Sequence, residues 1–233
     1  MIVGIHQPNH LPYLGFFDKM AQSDVFILYD NTQFARWDIG FQNRNKIRIK
    51  DGWLWLTVPI KHEFGAKINE AKIDNTKHWA RKNWTSIVAN YSKTRYFKEY
   101  KDDFEKIFSK EWDYLADLNI AIIRKAAELF GIKAKIMLSS EIIPKLNAKA
   151  TDALIELCKA VDADIYLSGR DGKEYLEHDK FKDAGIKITY QEYVHPKYEQ
   201  AYPGFELYMC FLDLLFNHGP DSLKILKNNA SYD

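Results

Sequence analysis

The chain has 233 residues, with 33 Lys or Arg against 32 Asp or Glu and a formal charge of +1. A hydrophobic content of 46% and an aromatic content of 15% describe a globular chain and exclude disorder. The charge balance excludes binding to nucleic acid through a uniformly basic surface, and no apolar run approaches the roughly 20 residues of a membrane span.

Ile2, Val3 and Ile5 are β-branched residues suited to a buried strand, and Gly4 leaves space for a neighbouring backbone or ligand. Pro8 and Pro12 lack an N–H and push the residues before them to extended geometry, so Gln7 to Pro12 is expected to be loop. After Tyr13, the spacing of Leu14, Phe17, Met20 and Ala21 predicts a helix. His6, Gln7, Asn9 and His10 therefore crowd a strand-to-helix turn, where open α/β sheets bind ligands. His6 and His10 are candidate zinc ligands, but no Cys or third His stands nearby and a loop lacks the facing geometry of a helix. The alternative is a hydrogen-bonded turn capping the helix.

Val25 to Asp30 reads as a second buried strand ending in acid, followed by Asn31-Thr32-Gln33-Phe34. Asp30 is placed to bind a metal, a ribose hydroxyl or an amine, or simply to form a turn. In the run 44–50, Arg44, Lys46, Arg48 and Lys50 alternate with Asn45, Ile47 and Ile49, which puts four cations on one face of a strand. That is a solvated edge strand or a phosphate or carboxylate grip led by the planar fork of Arg44. Asp51-Gly52 signals a hairpin turn, and residues 53–60 return as the second strand. Lys61 and His62 follow, then a Gly-bearing loop; a basic residue there can reach an anionic substrate or decorate a plain surface loop.

From Lys77 to Phe130 the pattern is helical. Trp84, Ile87, Val88 and Tyr91 form one stripe, two further helices fit 96–108 and 112–130, and Gly131 ends the last as a C-cap. The aromatic residues here read as core, and the block as a helical insertion near 77–130 that could roof the site. Residues 136–140 form a short strand, 150–161 a helix, and 163–168 a strand. Gly169 and Gly172 bracket Arg170 and Asp171; such a turn lets backbone N–H groups approach an anion at a helix N-terminus, or is an ordinary βα turn. Residues 185–193 form the last strand. It leads to His195, held before Pro196, a candidate general acid or base or a structural histidine. Asp213 lies on the apolar face of the helix 211–217, either paired with a buried cation or orienting a His.

The expected architecture is α/β: a mostly parallel three-layer sheet with helices on both faces, a β-hairpin near 44–60 and the helical insertion, all in a single domain over 1–233. Cys158 and Cys210 read as small buried hydrophobes in a reducing compartment. With no signal-peptide pattern, a cytoplasmic location is expected.

The set His6-Gln7-Pro8-Asn9-His10-Leu11-Pro12-Tyr13-Leu14-Gly15-Phe16-Phe17-Asp18-Lys19, then Gln42-Asn43-Arg44, then Tyr166-Leu167-Ser168-Gly169 with Gly172 and Tyr175-Leu176, then His195-Pro196, Tyr198 and Gln200, and finally Asp213 to Asn217 resembles the WbqC-like protein family nearly end to end. The resemblance implies a setting in surface-polysaccharide gene clusters. A weaker similarity is to the HIGH-type nucleotidyl-transferring enzymes, which place histidines after the first strand to contact nucleotide phosphates. This chain departs from them with HxxxH and a proline inside. Asn31-Thr32-Gln33-Phe34 looks like the Asn-Pro-x-Gln-Phe of pantothenate synthetase, one of those enzymes. The sequence names no cofactor; the analogy makes ATP with magnesium a candidate, though a fold-level analogy does not establish function.

The expected function is a transferase or ligase that uses a nucleotide-linked sugar or acyl donor, with amide or acyl transfer to an amino sugar. In that reading His6 meets donor phosphates and His195 moves the proton of the attacking amine. Gln7, Asn9, Asp30 and Gln33 orient the reactants, Arg44 and Lys61 hold anionic groups, Ser168 and Gly169 line the opposite wall, and Tyr13, Asn43, Gly172, Tyr175, Tyr198 and Asp213 complete the substrate-binding set. The alternatives are a non-catalytic nucleotide or nucleotide-sugar binding module, and a metal hydrolase built on His6, His10 and Asp30. No nucleic-acid or membrane partner is expected, and a homodimer is compatible with the sequence.

Overall fold

Five runs of alternating or continuous apolar residues become one parallel sheet. The structure, a computed structural model, describes residues 1–34, 40–61 and 65–227; His62 and the polar tail after Lys227 lie outside the described residues. The sheet strands are β1 (Ile2–His6), β2 (Val25–Leu28), β7 (Lys135–Leu138), β8 (Ile165–Ser168) and β9 (Lys187–Tyr190), in the spatial order β7-β2-β1-β8-β9. All four pairings are parallel. Between β2 and β7 lie a hairpin of β3 (Arg44–Ile49) and β4 (Gly52–Thr57) and a short pair, β5 (Ile60–Lys61) and β6 (Lys72–Ile73).

Side chains alternate across the sheet and feed two cores. Phe26 and Leu28 of β2 face one core, together with Leu14, Phe17 and Met20 of α1 (Leu14–Ala21). Val25 and Ile27, with Val3 and Ile5 of β1, face the other. Gly4 belongs to the first face, and a Cβ there would run into Ser23 Oγ and the Phe26 ring. The space predicted beside Gly4 is therefore filled by protein.

The first core is extended by α2 (Trp79–Tyr91), α3 (Phe97–Ser109), α4 (Leu115–Phe130), α8 (Phe211–His218) and α9 (Ser222–Lys227). The helical segment expected to roof the site is a layer of core instead: Phe17, Phe104, Phe130, Phe211 and Phe216 interlock edge to face at 5.2–6.0 Å or tilted at 5.6 Å. Gly131, at φ 71°, ends α4 as expected. The second core is closed by α6 (Ala150–Ala160) and α7 (His178–Asp183); between β7 and α6 sits the short α5 (Ser139–Ile142). Cys158 and Cys210 are buried free thiols.

The hairpin departs from the expected solvated face. Arg48 is buried, and its guanidinium donates to the carbonyls of Ile49, Gly52 (2.8 Å) and Pro203 (2.7 Å). The chain around Pro203 covers that end of the hairpin, so period-two alternation did not predict exposure.

Candidate functional site

The strands that flank the centre of the sheet part company. Pairing of β1 with β8 runs from Ile2↔Ile165 to Gly4↔Leu167 and stops. Yet β1 stays paired with β2 to His6↔Leu28, and β8 with β9 to Ser168↔Tyr190. Taken in chain order, the sheet reads 3-2-1-4-5, and β1 and β8 lie at the reversal of strand order, the crevice where doubly wound sheets bind ligands. A cavity of about 650 Å³ opens there, within the range of small-molecule sites.

The β1–α1 loop supplies the cavity's floor with His6, Gln7 and Tyr13. His6 Nδ1 lies 2.9 Å from the Gln7 carbonyl; a carbonyl only accepts, so Nδ1 carries the proton and Nε2 keeps its lone pair. Burial and the nearby Lys19 charge pull the His6 pKa down to about 4, so the ring is neutral at pH 7. Gln7 Oε1 accepts from Gln42 Nε2 at 2.5 Å. The loop itself is strapped from behind by Asn119 on α4. Its amide donates to the Pro8 carbonyl (2.8 Å) and the Gln42 carbonyl (2.7 Å), and its oxygen accepts from His10 Nδ1 (3.0 Å).

Lys19 enters the same crevice from α1. It is 3% exposed, and Nζ donates to the Ile5 carbonyl at 2.8 Å. This carbonyl lies just past the last β1–β8 pair. The amine stands 5.8 Å from the ring centre of Tyr166, which belongs to the opposite core. Burial pulls its pKa down to about 7.

The far wall is the turn after β8, with Gly169, Arg170, Asp171, Gly172 and Tyr175, and beyond it Gln191, Tyr193 and Tyr208. Gly172 is required, because a Cβ would collide with Ser168 Oγ. The turn is a five-residue 3₁₀ segment, Arg170–Glu174, so the extended helix expected to aim its N-terminus at an anion is absent from this position. Gln191 Nε2 donates to the Gly15 carbonyl (2.8 Å) and to Asp18 Oδ2 (2.5 Å). Six tyrosines, 13, 29, 166, 175, 193 and 208, line the cavity, offering flat faces and hydroxyls together. Two lining residues, Ala150 (φ 48°) and Tyr208 (φ 61°), are left-handed, as is Leu11 (φ 43°) in the β1–α1 loop; strained backbone of this kind clusters at functional sites.

Of the residues singled out from sequence, His6, Gln7, Tyr13, Gly169, Gly172 and Tyr175 meet at the cavity. The others stand elsewhere. Ser168 is fully buried behind the wall, and its hydroxyl donates to the Gly169 carbonyl. Asn9 is buried outside the lining. Asp30 is tied to α5, accepting from Ser139 Oγ (2.9 Å), Ser140 N (2.9 Å) and Ser140 Oγ (2.6 Å). Gln33 is exposed and bridges to Lys67, while Thr32 of the same cluster lines the cavity. Asn43 donates to the Val58 carbonyl (3.0 Å). Arg44 lies over the Trp55 ring at 4.7 Å, and Lys61 is exposed on β5. Among the described residues, His6, His10 and Asp30 do not form a metal-sized group, nor do any three His, Cys, Asp or Glu side chains. Among the described residues, a magnesium ion arriving with a nucleotide would meet one lining carboxylate, Asp171.

His195 is also outside the cavity, and both ring nitrogens are engaged. Nδ1 donates to the Pro196 carbonyl (2.9 Å), and Nε2 accepts from the backbone N–H of Tyr208 (3.2 Å). It is 6% exposed, and burial lowers its pKa. Its neighbours Tyr193 and Tyr208, at 6.0 and 5.2 Å between ring centres, are the ones that reach the cavity. Tyr198 and Asp213 form a separate buried knot: Asp213 accepts from Tyr91 OH (3.0 Å), Tyr198 OH (2.9 Å) and Gln200 Nε2 (2.8 Å). Burial raises the Asp213 pKa to about 6. Its hydrogen-bond partners are neutral donors, while the buried cation expected here, Arg48, acts on it through charge and not by a direct hydrogen bond.

The residues that sequence reasoning passed over are Lys19, Asn119, Gln191, Tyr193 and Tyr208. Lys19 left one signal, a cation among Phe16, Phe17 and Met20 on the apolar stripe of a short helix.

A curated relative, the uncharacterized protein Rv1507c of Mycobacterium tuberculosis (strain ATCC 25618 / H37Rv), is 34% identical over 229 residues, covering 97% of each chain. No solved structure matches. Among the described residues, no helix is long and apolar enough to cross a membrane. The match to the family profile spans residues 7–225, from the crevice loop to the last helix, and with it the chain belongs to the WbqC-like protein family.

Proposed function

We propose that the protein is a transferase or ligase that acts on a nucleotide-linked sugar or acyl donor in surface-polysaccharide synthesis, with acyl transfer to an amino sugar as the reaction. The observation that carries this reading is the cavity at the parting of β1 and β8, where a neutral histidine, a buried lysine and six tyrosines converge. Aromatic faces and hydroxyls suit a sugar ring or a base, and the cations Lys19 and Arg170 suit phosphate. The acceptor amine would attack the acyl carbon, and the leaving group would depart with its bonding pair. His6 Nε2, holding its lone pair, would take the proton that the amine sheds. His195 would act as a positioning residue that fixes Tyr193 and Tyr208.

The test is a thermal-shift screen of ATP with Mg²⁺, CTP, UDP- and dTDP-sugars and acyl-CoA, followed by mass spectrometry of the reaction mixture. The expected result is a donor-dependent shift with turnover. His6→Ala should lower turnover by roughly 100-fold with an unchanged melting point, and His195→Ala should raise KM more than it lowers kcat. A shift without turnover favours the non-catalytic binding module, and no shift with any donor overturns the assignment.

A further inference from the structure

Lys19 is a cation buried where the fold has a use for one. The described residues give its ammonium a single hydrogen-bond acceptor, the Ile5 carbonyl, and no carboxylate partner. An ammonium has three donors, so donors remain for a ligand in the cavity that Lys19 lines.

The usual alternative, a cradle of backbone N–H groups, is reduced in this chain. In the β1–α1 loop Pro8 and Pro12 have no N–H, and the N–H of His10 is bound to the Phe41 carbonyl at 3.0 Å. In the turn after β8, the N–H of Gly172 goes to the Gly169 carbonyl, and those of Tyr175 and Leu176 go to the Gly172 carbonyl. Doubly wound folds hold the pyrophosphate of a dinucleotide on such N–H groups and a helix N-terminus. With several of those donors occupied or missing, side chains such as Lys19 add positive charge at the switch point.

We propose that Lys19 is the anion anchor of the cavity, binding the phosphoryl oxygens of the donor. This rests on the reading of the cavity as a site for a nucleotide-linked donor. Removing a charge from water is costly unless a counter-charge accompanies it, and a phosphoryl group would supply that charge. The lowered pKa agrees: burial disfavours the charged amine, and a phosphate oxygen would draw the proton back onto it. Facing Lys19 are His6 on β1, Tyr166 on β8, Cys158 on α6 and Asp171 and Tyr175 on the far wall, with Asp18 beside it on α1. The described residues place none of these carboxylates in ion-pair contact with it.

The experiment is an NMR titration of ¹³C-labelled lysine side chains, with Lys19 assigned by its loss in Lys19→Met. Inorganic phosphate, pyrophosphate, UDP and acetate are the probes. The Lys19 midpoint is expected to rise by about one pH unit or more with pyrophosphate and UDP, and to stay put with acetate. Lys19→Met should weaken pyrophosphate binding by about tenfold or more, while Lys19→Arg, which keeps the charge, holds most of the affinity. A midpoint that no anion moves overturns the proposal, and an equal response to acetate overturns the phosphoryl assignment. If pyrophosphate moves Lys19 but no nucleotide or nucleotide-sugar binds, the anchor stands and the donor reading falls.

Discussion

Lys19 places a costly buried charge at a single side chain. Its folded pKa is pulled from 10.5 to about 7 by burial. Between those values the unfolded chain holds a proton that the folded chain has lost, so stability climbs as pH rises from 7 towards 10.5 and is least below 7. Lys19→Met removes that penalty and leaves the Ile5 carbonyl unpaired, a smaller cost. The net gain expected at pH 7 is on the order of 2 kcal/mol, shrinking as pH approaches 10. Urea denaturation of both proteins across that range measures it, and a variant less stable than wild type at pH 7 would contradict the buried-charge account. The sequence showed the His6–Tyr13 cluster because polar residues at a strand end contradict the apolar run before them. It hid Lys19, since a lysine in a helix is ordinarily solvated. His195 drew attention for its ionisation, yet the ring holds backbone at both nitrogens, and such bonds have no signature in a linear chain.

At the level of elements, the crevice loop depends on a helix far along the chain. Asn119 makes two hydrogen bonds to it and a third to the Gln42 carbonyl, and is fully buried. Asn119→Ala would leave two carbonyls and the His10 ring without their partners, at an expected cost of about 2–4 kcal/mol. Faster amide exchange at His10, Leu11, Tyr13 and Leu14 than in wild type would show that the strap has gone, whereas unchanged exchange with lowered global stability would assign Asn119 to packing alone. The helices and strands themselves were legible, since α1, α4 and the sheet strands follow plain apolar periodicities. Two functions assigned to elements were not legible. The segment 77–130 reads as an insertion because it interrupts the alternation of strand and helix, but its apolar stripes merge with those of α1 and α8 in one core. The turn after β8 reads as an anion-binding helix start because of its glycines, while Gly172 serves to admit Ser168.

For the whole molecule, strand content could be read from sequence and strand order could not. Each buried strand is a local pattern, whereas the order β7-β2-β1-β8-β9 depends on which apolar faces the helices cover. That order places the cavity, so its far wall could be guessed only as a second glycine-bearing strand end.

The position of β1 also bears on how the chain is made. β1 pairs with β2 after a short connection, but Ile2 waits for Ile165 before its other edge is closed. During synthesis the central strand therefore presents an unpaired apolar edge until most of the chain has emerged, a long-range pairing of the kind that slows folding and invites association. A chain ending at Val161, which lacks β8 and β9, should accumulate as aggregate when the full chain stays dispersed, as light scattering after dilution from denaturant would show. A monodisperse, folded fragment would mean that something else covers this edge. The parting of β1 and β8 that opens the cavity is thus a seam that can close only late in synthesis.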